Sequence, residues 1–254
     1  MISCKKDLPH IIFLDIDGTL VYNGIYMTEE NINVIKKVRE QGHFVFLNTG
    51  RSTPLVPEET VKKSGVDGVI SSLGAYITYK GDCIYENPIP EDILEATVDA
   101  VIRHRACSSI DALRTSYWFF GGQNSIFTKD EFYSRRKNEK VYKIFFNGCI
   151  NGELRRTIRR NFSFCQSCPA FGEGAVKGCT KASGVRKVAE YLGIPYDRTI
   201  SIGDSPNDID MLKSTSVSVA MGNAVRKVKN ICDFTTDTAE NSGVAKALEK
   251  LLLT

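Results

Sequence analysis

At 254 residues, 42% of them hydrophobic, the chain is long enough for one large domain or two modest ones with a filled core. Its 33 Lys and Arg against 30 Asp and Glu leave a formal charge of +3, which lacks the basic excess of a protein that grips nucleic acid. The polar opening from Met1 to His10 passes directly into a short apolar run, with no secretory core and no span for a bilayer, so a soluble, cytoplasmic protein is expected.

In chain order, His10 to Ile16 is a short Ile-rich run that predicts a buried strand. Thr28, followed by Glu29 and Glu30, marks a helix start, and Ile32, Ile35 and Val38 continue it at helical spacing until Gly42. A strand at Phe44 to Leu47, a helix from Glu58 to Lys63 ended by Gly65, and a strand around Val69 and Ile70 complete a β-α-β-α-β rhythm. That rhythm implies a parallel sheet with helices on its faces. It then breaks, because Tyr76 to Tyr79 and Ile84 to Glu86 flank Lys80-Gly81-Asp82 as a hairpin. A helix from Glu91 to Arg103, strands at Tyr117 to Phe120 and Val141 to Asn147, a basic helix from Glu153 to Arg160 and a strand near Phe164 follow. From Thr180 the first rhythm returns: a helix to Leu192, a strand at Thr199 to Ile202, a helix from Pro206 to Lys213, a strand at Val217 to Ala220, and two shorter helices. The expected fold is α/β, a Rossmann-like parallel-sheet core in two segments, 1–81 and 179–254, around an inserted α+β domain at 82–178.

Of eight cysteines, only Cys165 and Cys168 form a C-x-x-C pair, with Cys179 nearby. No second ligand pair or thioredoxin-like context accompanies it, and a disulfide framework belongs to small secreted chains, so packed structural thiols are expected.

The chemistry-bearing residues lie where strands end. Asp15-Ile16-Asp17-Gly18-Thr19-Leu20 closes the first strand; side chains two apart share a face, so both carboxylates can enter one crevice at the carboxyl end of the sheet. Gly18 lets the backbone turn away. Asn48-Thr49-Gly50-Arg51 follows the second strand, Gly203-Asp204-Ser205-Pro206-Asn207-Asp208 follows a later one, and Lys181 stands near the start of the helix that re-enters the sheet domain. Singly, each has a bland explanation as a turn residue, a solvated lysine or first-turn acids suited to a helix dipole. Their order and βα context together point to one site.

In that order these stretches resemble the haloacid dehalogenase superfamily of phosphohydrolases, in particular its Cof-type branch of small-metabolite and sugar phosphatases. Asp15 to Thr19 match the first motif, Thr49 the second, Lys181 the third and Gly203 to Asp208 the fourth; Ala220 to Ala224 also resemble a phrase common in that branch. The 82–178 insertion resembles the family's cap by position and size. Where many relatives have Asn-Gly-Ala before the cap hairpin, this chain has Leu73-Gly74-Ala75.

The resemblance implies a Mg2+-dependent phosphatase in which Asp15 attacks phosphorus and Asp17 exchanges protons with the leaving group and then with water. It also implies that Asp15, the backbone carbonyl of Asp17 and Asp204 bind the metal. Asp208 and Asn207 would orient the groups around it, while Thr49 and N–H groups near Gly18 and Gly50 would hold phosphate oxygens. Physically, an anionic nucleophile can approach a phosphate monoester only where positive charge offsets the repulsion, which Mg2+ and Lys181 would supply. The partner is expected to be a small phosphorylated metabolite, with Arg114, Tyr117, Trp118 and Lys143 as candidates for the cap's inner face. A phosphomutase, or a non-catalytic binding protein on the same scaffold, stands as the alternative.

Overall fold

A computed structural model of the chain describes residues 8–253 apart from 123, 151 and 169. The opening segment of the sequence reading, 1–7 with Cys4, and the Cys168 side chain lie outside the described residues. Among those described, no helix is long and apolar enough to cross a membrane.

The elements are β1 (Ile11–Leu14), α1 (Glu29–Glu40), β2 (Phe44–Asn48), α2 (Glu58–Ser64), β3 (Gly68–Ser71), β4 (Tyr76–Tyr79), β5 (Asp82–Glu86), α3 (Glu91–Arg103), β6 (Ser108–Ala112), β7 (Ser116–Phe119) and α4 (Lys129–Arg136). They continue with β8 (Val141–Asn147), α5 (Gly152–Asn161), β9 (Phe162–Cys168), β10 (Phe171–Val176), α6 (Lys181–Leu192), β11 (Thr199–Gly203), α7 (Ile209–Leu212), β12 (Val217–Ala220), α8 (Arg226–Lys229), β13 (Phe234–Thr235) and α9 (Gly243–Leu252).

The larger sheet has the order β13-β12-β11-β1-β2-β3-β4-β5. Its strands are parallel from β13 to β3, and β4 and β5 are antiparallel additions at one edge. β1 and β11 are buried along their whole length, as strands covered by helices on both faces must be; β1 is an unbroken apolar run, and β11 alternates Ile200 and Ile202 with buried Thr199 and Ser201. Ile12, Leu14 and Ile202 pack on one side with α1 and α9 residues such as Val34, Val38, Val244 and Leu248. Ile11, Phe13 and Phe46 pack on the other with Val185 and Val188 of α6. The chain winds outward from β1 in one direction through β2 and β3, and later from β11 through β12 and β13 in the other. The switch point, where such sheets open a crevice at their carboxyl ends, therefore lies between β1 and β11.

The expected hairpin forms, but it pairs Asp82–Glu86 with β4 in this sheet, so the second sheet's segment begins after β5 and not at 82 as the sequence reading has it. Lys80 and Gly81 both have positive φ, the two-residue turn that folds a strand straight back on its neighbour. The second sheet, β7-β6-β8-β10-β9, is antiparallel throughout. One face carries Ile110, Ile144 and Phe146 into a core with Leu94, Val98 and Val101 of α3 and Leu154 and Ile158 of α5. β6, α4, β10 and β13 are absent from the sequence reading, and the helix expected from Pro206 to Lys213 is a 3-10 turn at Pro206–Asp208 followed by the short α7.

Candidate active site

Asp15 follows the last residue of β1, and its N–H extends the sheet by donating to the Ile202 carbonyl at 3.1 Å. This fixes the carboxyl group at the switch point, where it is 5% exposed. Lys181, the first residue of α6, comes to the same point from the other side of the sequence gap. Thr180 caps that helix reciprocally with Ser183, and the Asn48 side-chain amide donates to the Lys181 carbonyl at 3.0 Å, so the end of β2 and the start of α6 are tied together. Lys181 Nζ, 1% exposed, donates to Asp15 Oδ1 at 2.5 Å and to Asp208 Oδ1 at 2.6 Å.

Asp208 is itself fixed: its Oδ2 accepts from the backbone N–H of Asp204 at 3.0 Å and of Ser205 at 2.9 Å. Asp204 accepts from Thr19 Oγ1 at 3.1 Å. Each turn is shaped by a glycine. A Cβ on Gly203 would sit 2.7 Å from Asp208 Cβ, and one on Gly18, at φ +81°, would sit 2.5 Å from Asp204 Oδ2.

Burial raises the pKa of Asp15 well above the ordinary carboxylate value, with repulsion from Asp208 adding to it and Lys181 opposing. Burial, then Asp208, pushes Asp204 up to about 6. For Lys181 burial disfavours the charge, but Asp15 and Asp208 outweigh it and its pKa is raised. Three carboxylates around one ammonium thus leave uncompensated negative charge, and oxygens of Asp15, Asp204 and Asp208 lie within 4.8 Å of one another. An all-oxygen, anionic donor set of this kind suits a hard divalent cation. Asp208 already uses both oxygens on protein donors, which leaves Asp15 and Asp204 as the better fit for direct ligands.

Asp17 sits two residues beyond Asp15 at the mouth of the site. Arg51, to which the sequence reading assigns no role, grips it with both arms of its guanidinium: Nη2 to Oδ1 at 2.5 Å and Nε to Oδ2 at 2.8 Å. Thr49 is buried, and its Oγ1 accepts from the Arg51 N–H at 3.1 Å, which leaves the hydroxyl proton for another acceptor. Asn207 lines the cleft and bonds through its side-chain carbonyl to the Ser205 hydroxyl.

Of the N–H groups near Gly18 expected to hold phosphate oxygens, Gly18's own is taken within the turn. That N–H donates to the Val21 carbonyl at 2.9 Å because the turn closes on itself, while Asn223 bonds the Gly18 carbonyl at 2.7 Å. Gly18 serves instead by making room for Asp204. Gly50 has a comparable role toward the insertion, since a Cβ there would lie 2.8 Å from Glu173 Oε1.

The second sheet turns its other face to this site across a cleft of about 320 Å3. Of the four candidates for that face, Trp118 and Lys143 line the cleft and two do not. Tyr117, next to Trp118 on one strand, points the opposite way into the insertion's own core and donates to Glu139 at 2.8 Å. Arg114, between β6 and β7, is held by its N–H to the same Glu139 at 3.0 Å. Asp111 and Glu173 line the cleft, and the sequence reading gives neither a role. Glu173 pairs with Lys143 at 2.7 Å, across strands that only the sheet register brings together.

A family profile described as haloacid dehalogenase-like hydrolase matches residues 12–248 of this chain. The Bacillus subtilis protein YkrA is 28% identical over 272 residues, covering 95% of this chain and 97% of that protein. The 5-amino-6-(5-phospho-D-ribitylamino)uracil phosphatase YcsE of Bacillus subtilis is 29% identical over 251 residues, covering 96% of each. Among solved structures, the haloalkanoate-superfamily phosphatase BT1666 from Bacteroides thetaiotaomicron superposes with a TM-score of 0.83 at 24% identity, over 98% of this chain and 96% of that one, which shows the common fold.

Proposed function

The chain belongs to the haloacid dehalogenase-like hydrolases and is a phosphatase of their Cof-type branch; from that premise we propose that it hydrolyses the phosphate monoester of a small metabolite, with Mg2+, through a phosphoryl group carried on Asp15. The observation that carries this reading is the buried arrangement of Asp15 and Asp208 on one ammonium, with Asp204 beside them at the sheet's switch point. Asp15 and Asp204, joined by the Asp17 backbone carbonyl, would hold the metal, which when bound supplies charge that offsets the repulsion between carboxylate and ester.

The chain's own residues perform the transfer. An Asp15 oxygen bonds to phosphorus as the ester P–O bond breaks, and the departing oxygen takes a proton from Asp17. Asp17 then accepts a proton from the water that attacks phosphorus. The P–O bond to Asp15 breaks, returning the carboxylate and releasing inorganic phosphate. Arg51 donates once to each Asp17 oxygen, so a proton on Asp17 takes a lone pair that the guanidinium leaves open. Lys181 and the Thr49 hydroxyl steady the phosphoryl oxygens, and Asp208 keeps Lys181 in place. The insertion, 82–178 in the sequence reading, acts as the cap that covers the leaving group. A small soluble ester is consistent with the cleft's volume and with the substrate that YcsE's name gives for that relative.

Replacing Asp15 with Asn keeps size and removes the nucleophile, so turnover of any ester should be lost while the fold persists. Rapid-quench mass spectrometry of the wild-type chain with substrate should find a transient phosphoryl group on Asp15. Phosphate found on another residue, or residual wild-type turnover in the Asn variant, would sink the covalent assignment.

A further inference from the structure

Resting on the phosphatase reading, we infer that Asp111 determines which esters this chain accepts: it selects a leaving group that presents hydrogen-bond donors, hydroxyl or ammonium, and disfavours one that carries a second anion. Asp111 is 1% exposed, and neither of its carboxyl oxygens has a hydrogen-bond partner among the described residues. Burying a carboxyl group without a partner is costly, and a sequence retains such a group in a cleft at the expense of stability. The fold itself does not need it there. Asp111 stands opposite Lys143 in the β6–β8 register, so the two side chains share the face that looks onto the catalytic cleft. Lys143 is committed to Glu173 on the next strand at 2.7 Å. The cap face over the leaving group therefore holds two acids against one lysine, and its unmatched group is an acceptor. A second phosphate or carboxylate on the substrate would meet Asp111 without a cation to pair with. A hydroxyl or ammonium would satisfy it.

The rest of the cleft suits the carbon frame of such a molecule. Trp118 and Phe145 meet edge to face, 6.0 Å between ring centroids, and both line the cleft, giving an apolar wall beside the acceptor. β6 packs against the turn Thr53–Leu55 of the core, so Asp111 is covered when the cap is seated and a donor reaches it before closure.

The test is phosphate release by the wild-type chain with Mg2+ from five esters. Glucitol 6-phosphate and glucosamine 6-phosphate offer hydroxyl and ammonium donors, 3-phosphoglycerate and fructose 1,6-bisphosphate carry a second anion, and 4-nitrophenyl phosphate is the reference without donors. At least one donor ester should exceed both anionic esters in kcat/KM by about 10-fold or more, and which donor ester leads tells hydroxyl from ammonium. Asp111→Asn should lower the ratio of donor-ester to aryl-ester kcat/KM by about 10- to 100-fold, the usual worth of a hydrogen bond to a charged group. Its Tm should be unchanged or higher, which separates a binding role from a structural one. A wild-type preference for the anionic esters, or an Asp111→Asn variant that slows donor and aryl esters by the same factor, would overturn the inference. If the variant does not fold, the wild-type ranking decides alone. Release from none of the five would overturn the phosphatase reading itself, whereas aryl turnover without donor preference would overturn only the role of Asp111.

Discussion

Asp204 shows most directly how charge at the site couples to stability. Its pKa is raised to about 6, first by burial and then by Asp208, against an ordinary value of 3.8. The folded chain therefore binds a proton there more readily than the unfolded one. Its contribution to stability is full below the ordinary value and lost as pH rises through about 6. In excess chelator the penalty at pH 7 should be on the order of 2 kcal/mol, allowing for partial solvent screening. Urea unfolding of the wild type and Asp204→Asn in chelator should show the variant gaining on the wild type between pH 4 and 7. Mg2+ should then raise the wild-type Tm at pH 7 far more than the variant's. Parallel pH profiles would mean that Asp204 is not the group carrying this charge. Residues such as Asp15, Thr49, Lys181 and Asp204 are legible in the sequence because each follows an apolar run or opens a helix, where polarity is locally out of place. Arg51 stands in the same stretch as Thr49, but its partner Asp17 is 34 residues away and only the fold brings them together.

At the level of elements, the parallel sheet is legible because its central strand is an unbroken apolar run, its neighbours keep short apolar stretches between helical segments, and α1 and α6 begin with caps at Thr28 and Thr180. The strands of the insertion are less so. β6 alternates Ser109 and Asp111, facing the cleft, with Ile110 and Ala112, facing the insertion's core, and its short polar half hides the pattern. β10 reads as a loop because of Gly172 and Gly174, yet a Cβ at Gly172 would fall 2.4 Å from the Phe164 ring, so the glycine is a packing requirement within a strand. α4 had a usable signal, Thr128 three residues before Glu131, and Thr128 does accept from the Glu131 N–H at 3.2 Å. Gly184 gives the same packing logic a measurable form on the helix that carries Lys181. A Cβ there would lie 2.5 Å from Ile70 Cγ2, on a side chain too stiff to step aside. Gly184→Ala gains about 1 kcal/mol of helix propensity, but overpacking against β3 costs about 1–3 kcal/mol. A lower urea midpoint, together with a lower kcat from a displaced Lys181, is the expected outcome. A variant more stable than wild type would show that α6 can move away from the sheet without cost.

Over the whole molecule, the sheet domain and the insertion meet at a small apolar cluster of their own. Leu73, Ala75 and Cys179 of the core pack there with Tyr142 and Ala175 of the insertion. Leu73, which stands where the family resemblance leads one to expect Asn, is 5% exposed and left-handed at φ 56°, a conformation that suits Asn better than Leu. The chain thus spends this position on holding the two units together. Tyr142 reinforces the junction by donating to Glu86 of β5 at 2.6 Å. Across the cleft the seating is finer, because Glu173 of β10 approaches the Thr49-Gly50 turn where any Cβ would intrude. Gly50 does not have positive φ, so Gly50→Ala strains no backbone and obstructs only a flexible carboxylate from the other unit. Its Tm should stay within about 2 °C of wild type, as for a substitution outside a packed core. The cap, however, can no longer seat with Glu173 in its place. kcat/KM for a metabolite ester should fall about 10-fold, the scale of a small misplacement at an active site, and hydrogen exchange in β6 and β10 should quicken. Unchanged kcat/KM with unchanged exchange would mean that the two units do not rely on this contact to close.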